Sequence, residues 1–152
     1  TAANITFHRP GAFASKFGLN TCNQFEWGGW SMNPGRMYLD GSGNLSIAGD
    51  FVATGNVTAY SDISLKTNLE VIPNALYKLS QISGYTFDRT DIETSRQTGV
   101  IAQEVEKVLP EVVTENDEGI KSVAYGNMVG LLIEAIKELN AKVEKLEAQL
   151  KH

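Results

Sequence analysis

One cysteine in 152 residues excludes an internal disulfide and a cysteine-rich zinc site, and Cys22 itself reads as a small buried or half-buried residue rather than a reactive thiol. No basic cluster occurs anywhere along the chain. The net charge is −5, from 13 Lys and Arg against 18 Asp and Glu, which argues against nucleic acid because phosphate binding needs concentrated cations. Long apolar runs are missing as well: the longest, residues 128–133, is six residues with Gly130 inside it, too short to cross a bilayer. No basic-then-apolar leader opens the sequence, so membrane insertion is not expected. With 42% hydrophobic and 20% charged residues, what is left is a soluble globular or fibrous balance.

The residues that are present are unevenly spread. Residues 1–60 hold nine of the 14 glycines and six of the 31 charged groups, while residues 61–152 hold the other 25 charges. The chain therefore divides near residue 60 into a β-rich region, 1–60, and a charged region, 61–152. In the first, Met37-Tyr38-Leu39, Leu45-Ser46-Ile47 and Val57-Thr58-Ala59 alternate like short strands between Gly, Asn and Asp turns. A weak twelve-residue repeat aligns the stretch from Gly43 with that from Gly55. Strands this short bury little alone, which predicts fibrous β-structure paired between chains. Phe7, Phe13, Phe17, Phe25, Trp27 and Trp30 read as further β-structure whose aromatics pack in a core or a subunit interface, with a ligand-binding surface as the alternative.

Residues 61–152 read as mixed α and β, so the chain as a whole is α+β. Residues 73–79 suit a short helix with Pro73 near its start, and residues 84–88 alternate like a strand. Residues 98–101 look like a buried strand feeding a helix over 102–109 that Pro110 ends. Residues 111–114 and 120–125 flank a turn-rich loop, the signature of a hairpin. At the end, Val129, Leu132, Ile136, Leu139, Val143, Leu146 and Leu150 are spaced by three and four in alternation, the a and d positions of about three heptads in a helix over 128–151. Lys142 and Glu147 fall on opposite-sign g and e positions, which favours parallel self-association as a coiled coil. The alternative is an amphipathic helix lying on its own domain, and three heptads do not settle the number of chains.

At the composition boundary stands Ser61-Asp62-Ile63-Ser64-Leu65-Lys66, a hydroxyl five positions before an amine. A serine is a poor nucleophile until a base takes its proton, and lysine serves as that base only when desolvated below its ordinary pKa of about 10.4. Neither histidine lies near the pair, which excludes a local Ser-His arrangement. Asp62 reads as a turn or cap residue, because a carboxylate beside the amine would raise the lysine's pKa.

These residues resemble a known family. Ser61-Asp62-Ile63-Ser64-Leu65-Lys66 is similar to the S-D-x-x-L-K start of the C-terminal intramolecular chaperone domains of phage tail fibres, tailspikes and endosialidases. Gly99-Val100-Ile101-Ala102-Gln103-Glu104, Leu109-Pro110-Glu111, Val123-Ala124-Tyr125 and the stretch 131–139 follow in the family's order. The resemblance implies a homotrimer in which residues 61–152 fold a fibre ending in residues 1–60. The domain is then released by self-cleavage between Tyr60 and Ser61. Ser61 would be nucleophile and Lys66 base, a single-turnover autocatalytic serine endopeptidase, with Asp62, Gln103 and Glu104 as possible supports and no cofactor or metal. It further implies a mature fibre in the virion tail, meeting a host cell-surface receptor or glycan, and a chaperone acting and released in the host cytoplasm. A permanent, uncleaved structural or receptor-binding tip of the same fold is the competing expectation.

Overall fold

The computed structural model describes residues 2–33, 35–92 and 95–151, and divides the α+β chain into two compact units, Thr1–Ser61 and Asp62–His152. The first is a five-stranded antiparallel meander of β1 (Ala3–Arg9), β2 (Phe13–Leu19), β3 (Phe25–Gly28), β4 (Met37–Leu39) and β5 (Leu45–Ile47), each paired with the next. Within the single chain these five strands pair with one another. The reason lies in the loops. Asn20 Oδ1 accepts from the N–H groups of Cys22 and Gln24, at 2.9 and 3.0 Å, and Asp40 Oδ1 accepts from Ser42 and Asn44, both at 2.9 Å. Three residues after each Asx stands a left-handed residue, Asn23 at φ 60° and Gly43 at φ 85°. An Asx side chain that satisfies the turn, followed by a residue tolerant of positive φ, closes a tight hairpin without a partner chain. The same device recurs in the second unit with Asn116 and Gly119. It also puts Cys22 on a loop, where it is exposed and free rather than buried or half-buried as its residue type suggested.

Pairing register divides the meander into two unlike faces. Ile5, Phe17, Trp27, Met37 and Ile47 form one continuous row across all strands, and Ala3, Leu19, Phe25, Leu39 and Leu45 form the next. The opposite face carries Asn4, Gly18, Glu26, Tyr38 and Ser46 in one row, with Thr6, Lys16 and Gly28 beside it. Phe17 and Phe25 meet edge to face at 4.4 Å. Within this unit no described residue closes over the apolar rows: Ile5, Leu19, Trp27, Leu39, Leu45 and Ile47 stay exposed, and Ala14 and Ser15 are the buried side chains described in it. After β5, residues 48–62 form neither strand nor helix. The expected strand Val57-Thr58-Ala59 does not form within the single chain, since a strand exists only by pairing and no described residue pairs with it.

The second unit contains α1 (Ala75–Leu79), a hairpin of β6 (Tyr85–Phe87) and β7 (Gln97–Gly99), α2 (Ala102–Glu106), a hairpin of β8 (Val113–Glu115) and β9 (Lys121–Val123), and α3 (Val129–Leu150). Its core joins Ala75, Val105, Leu109, Val112, Met128, Leu131 and Ala135, with Leu131 and Val105 wholly buried. The helix expected over 102–109 stops at Glu106. Leu109, the residue before Pro110, is driven to φ −148°, and Pro110 opens a 3-10 turn, Pro110–Val112, instead of ending a helix. Lys121 ties the hairpin to α2, its ammonium 2.7 Å from Glu106 and 2.5 Å from Glu115, and both carboxylates raise its pKa.

Candidate functional site

Tyr60 is 97% exposed, and residues 61–66 are exposed as well. Ser61 ends the first unit, and Lys66 follows the 3-10 turn Ile63–Leu65 that opens the second. That turn is set by Asp62. Its backbone is extended (φ −64°, ψ 142°), and its Oδ1 accepts from the Ser64 N–H at 2.8 Å and the Ser64 hydroxyl at 2.6 Å. These two bonds hold the Asp62 carboxyl below its ordinary pKa. The Lys66 N–H closes the turn on the Ile63 carbonyl at 3.1 Å. Asp62 is thus a cap that fixes the backbone between the two proposed reacting residues.

Glu104 acts inside its own unit. From α2 it accepts from the Ser83 N–H at 2.9 Å and the Tyr85 hydroxyl at 2.6 Å, and these bonds, Tyr85's first, lower its pKa. It cannot donate to an oxyanion while ionised, so its part is to hold β6 against α2. Gln103, next to it, is exposed and lines a cleft of about 690 Å³ with Val100, Lys121 and Tyr125. The Tyr125 hydroxyl accepts from the Val100 N–H at 3.3 Å, and a Cβ on Gly99 would lie 2.5 Å from that oxygen. A side chain at Gly99 would have to displace the tyrosine, which occupies that space. This joins two blocks of the sequence pattern that composition alone could not connect.

α3 works through two faces. Leu131 and Ala135 are buried against the core, and Glu138 reaches α1, its Oε1 accepting from the Ala75 N–H at 2.7 Å and its Oε2 from the Leu76 N–H at 3.0 Å. Those bonds, Leu76's first, depress the Glu138 pKa. The heptad residues are a different set: Val129, Leu132, Ile136, Leu139, Val143, Leu146 and Leu150 are all exposed, Ile136 by 65% and Leu150 by 86%. The helix lies on its own domain, yet not by the stripe that periodicity selects.

Comparison with known proteins adds to this geometry. Residues 61–114 match the family model described as the chaperone of endosialidase. With the relatives that follow, this match supports a C-terminal chaperone domain of a phage tail fibre. It is 33% identical to the long tail fiber protein Gp37 of Enterobacteria phage K3 over 90% of its own length and 13% of the relative's. It is 38% identical to the Gp37 protein of phage T2, over 62% of this chain and 8% of that one, and 30% identical to that of Salmonella phage S16, over 82% and 19%. The chain therefore spans only a small part of these relatives. Among the described residues no helix is long and apolar enough to cross a membrane, and no group of acidic, His or Cys side chains is placed to hold a metal.

Proposed function

We propose that residues 61–152 assemble three copies of a fibre ending in residues 1–60 and then cut themselves free between Tyr60 and Ser61. The observation that carries this reading is where the family match begins, at residue 61, directly after the bond in question.

Assembly precedes chemistry. The uncovered stripe from Val129 to Leu150 suits a parallel coiled coil of identical chains, and the apolar rows of the sheet need the same cover. Each Leu, Ile or Phe left in water forgoes about 1.5–3 kcal/mol, so covering both surfaces at once is a strong drive to associate. A coiled coil at one end raises the effective concentration of the sheets at the other and aligns them.

Cleavage follows from the order of the residues. Lys66 takes the Ser61 hydroxyl proton, Oγ attacks the Tyr60 carbonyl carbon, and the tetrahedral intermediate expels the Ser61 nitrogen, which accepts a proton. Tyr60 is then esterified to Ser61. Water cleaves that ester, giving a Tyr60 carboxylate and a Ser61 with free amine and restored hydroxyl. Nucleophile and carbonyl belong to adjacent residues, so the reaction needs alignment and no substrate binding. In the single chain Lys66 is exposed; neighbouring copies that desolvate its amine would favour the neutral form that can accept a proton. Cutting thereby waits for the trimer. It also removes the assembling helix, so dissociated fibres cannot readily re-form and stability becomes kinetic. The mature fibre would sit in the virion tail facing a host receptor or glycan, with the chaperone left in the host cytoplasm.

The test is expression of the chain beside Ser61→Ala and Lys66→Ala, read by denaturing gel and N-terminal sequencing. Wild type should give two fragments beginning at Thr1 and Ser61, and both variants should stay whole. Cutting of Ser61→Ala at the same bond would refute the mechanism, and an intact wild type would favour a permanent tip.

A further inference from the structure

Two strand edges of the second unit open onto one cleft. The sheets β6–β7 and β8–β9 are two-stranded, and among the described residues neither β7 nor β9 has a further strand partner. Their ladders show which backbone groups the outer edges offer. In the second hairpin the Asn116 N–H bonds the Ile120 carbonyl at 3.1 Å and the Ala124 N–H bonds that of Val112 at 2.8 Å. Residues 120, 122 and 124 therefore turn toward β8, and Lys121 and Val123 present their N–H and C=O groups outward. At the end of β7, Val100 gives its N–H to the Tyr125 hydroxyl at 3.3 Å rather than to β6, and Thr98, two residues before it, faces the same way. Thr98, Val100, Lys121 and Val123 all line the cleft of about 690 Å³ that holds Gln103.

The walls narrow the occupant. Outward rows of N–H and C=O groups on two sides are satisfied by an inserted extended backbone, which a sugar or nucleotide does not supply. Both cations of the lining are answered within the unit, Arg89 by Asp91 and Lys121 by Glu106 and Glu115, so the cleft suits an uncharged segment. Ile101 and Ile120, also in the lining, are 41% and 61% exposed and offer apolar contact to alternate side chains. The chain itself contains such a segment. Residues 51–60 carry no charge, Val57-Thr58-Ala59 alternates as a strand does, and all ten are exposed and unpaired within the single chain. Residues 69–71 alternate as well, but they bring Glu70, for which the lining has no spare cation.

We propose that the cleft takes residues 57–59 of a second copy as a strand between β7 and β9. Such pairing rests on the preceding reading in one respect, that copies of the chain associate, and it supplies what the cut requires beyond a base. A strand pinned through Ala59 holds the next carbonyl, that of Tyr60, in one place for attack. The test is amide hydrogen exchange, read by NMR on the whole Ser61→Ala chain, dilute and at a concentration where sedimentation shows association. Association should slow exchange at Thr58, Thr98, Lys121 and Val123 by about tenfold or more. Thr58→Pro lies in an exposed stretch outside every element. It should abolish the slowing at the three cleft residues, leave Leu131 as protected as before, and slow cutting when Ser61 is present. Unchanged exchange at the cleft of an associated chain, slowing at 57–59 without the cleft, or slowing at the cleft that survives Thr58→Pro would each overturn the pairing. An associated chain that protects its cleft yet never cuts with Ser61 in place sustains the inserted strand and sinks self-cleavage, and a chain that cuts with its cleft unprotected does the reverse. A chain that never associates removes both.

Discussion

In the second unit seven buried side chains, Leu131 and Val105 among them, form a core, whereas in the first the described buried side chains are Ala14 and Ser15. Both units close hairpin loops with the same Asx device, so turn chemistry does not separate them. Apolar burial does. A unit with a core, however thin, can hold its fold before partners arrive, while a single-layer sheet with two bare apolar rows cannot. The difference predicts an order in time, with the helical unit forming before the sheet.

Separating the units gives the largest expected effect. Residues 62–152 alone should melt cooperatively by circular dichroism, and residues 1–61 alone should show no cooperative transition or should aggregate; a monomeric, cooperatively melting 1–61 would erase the contrast. Next comes a contrast within α3. Leu131→Ala should cost about 2–5 kcal/mol in chemical denaturation of residues 62–152. Ile136→Ala, on the exposed stripe, should change that fragment's stability by no more than about 0.5 kcal/mol when dilute and instead weaken self-association in sedimentation equilibrium.

A smaller effect is expected at Gly99→Ala, where the added methyl meets the Tyr125 hydroxyl and should destabilise by about 1–3 kcal/mol. Adding Tyr125→Phe removes the blocking oxygen and should restore most of the loss, a coupling read from a double-mutant cycle. The smallest is a pH effect. Glu138 has its folded pKa depressed from the ordinary 4.5, so its contribution is fully present above that value and disappears as pH falls through the folded one. Acid denaturation of residues 62–152 should accordingly be less steep in Glu138→Gln.

Much of this was legible in the residues. The strands Met37–Leu39 and Leu45–Ile47 stand where alternation placed them, because the loop between them carries both an Asx and a glycine in the right order. The long helix was equally plain. Its docking face was not, since that face consists of Leu131, a small Ala135 and a charged Glu138, which carry little periodic signal of their own. Val57–Ala59 is not a strand within the single chain because alternation describes a side-chain pattern and says nothing of whether a partner is in reach. At the candidate site, Asp62's capping follows from an Asx two residues before a serine amide, while the exposure of Lys66 depends on what surrounds it and leaves no mark in the motif.

The division of the sheet into an apolar and a polar face has an evolutionary side. Neighbouring positions along each strand answer to different demands, so Ile5, Phe17 and Trp27 are tied to one another across the ladder, while Asn4, Thr6, Lys16 and Glu26 can drift without disturbing them. Such a surface can be rewritten at those side-chain positions at a rate its other side does not share, though not at Gly18, where a Cβ would fall 2.3 Å from the Ala3 carbonyl oxygen.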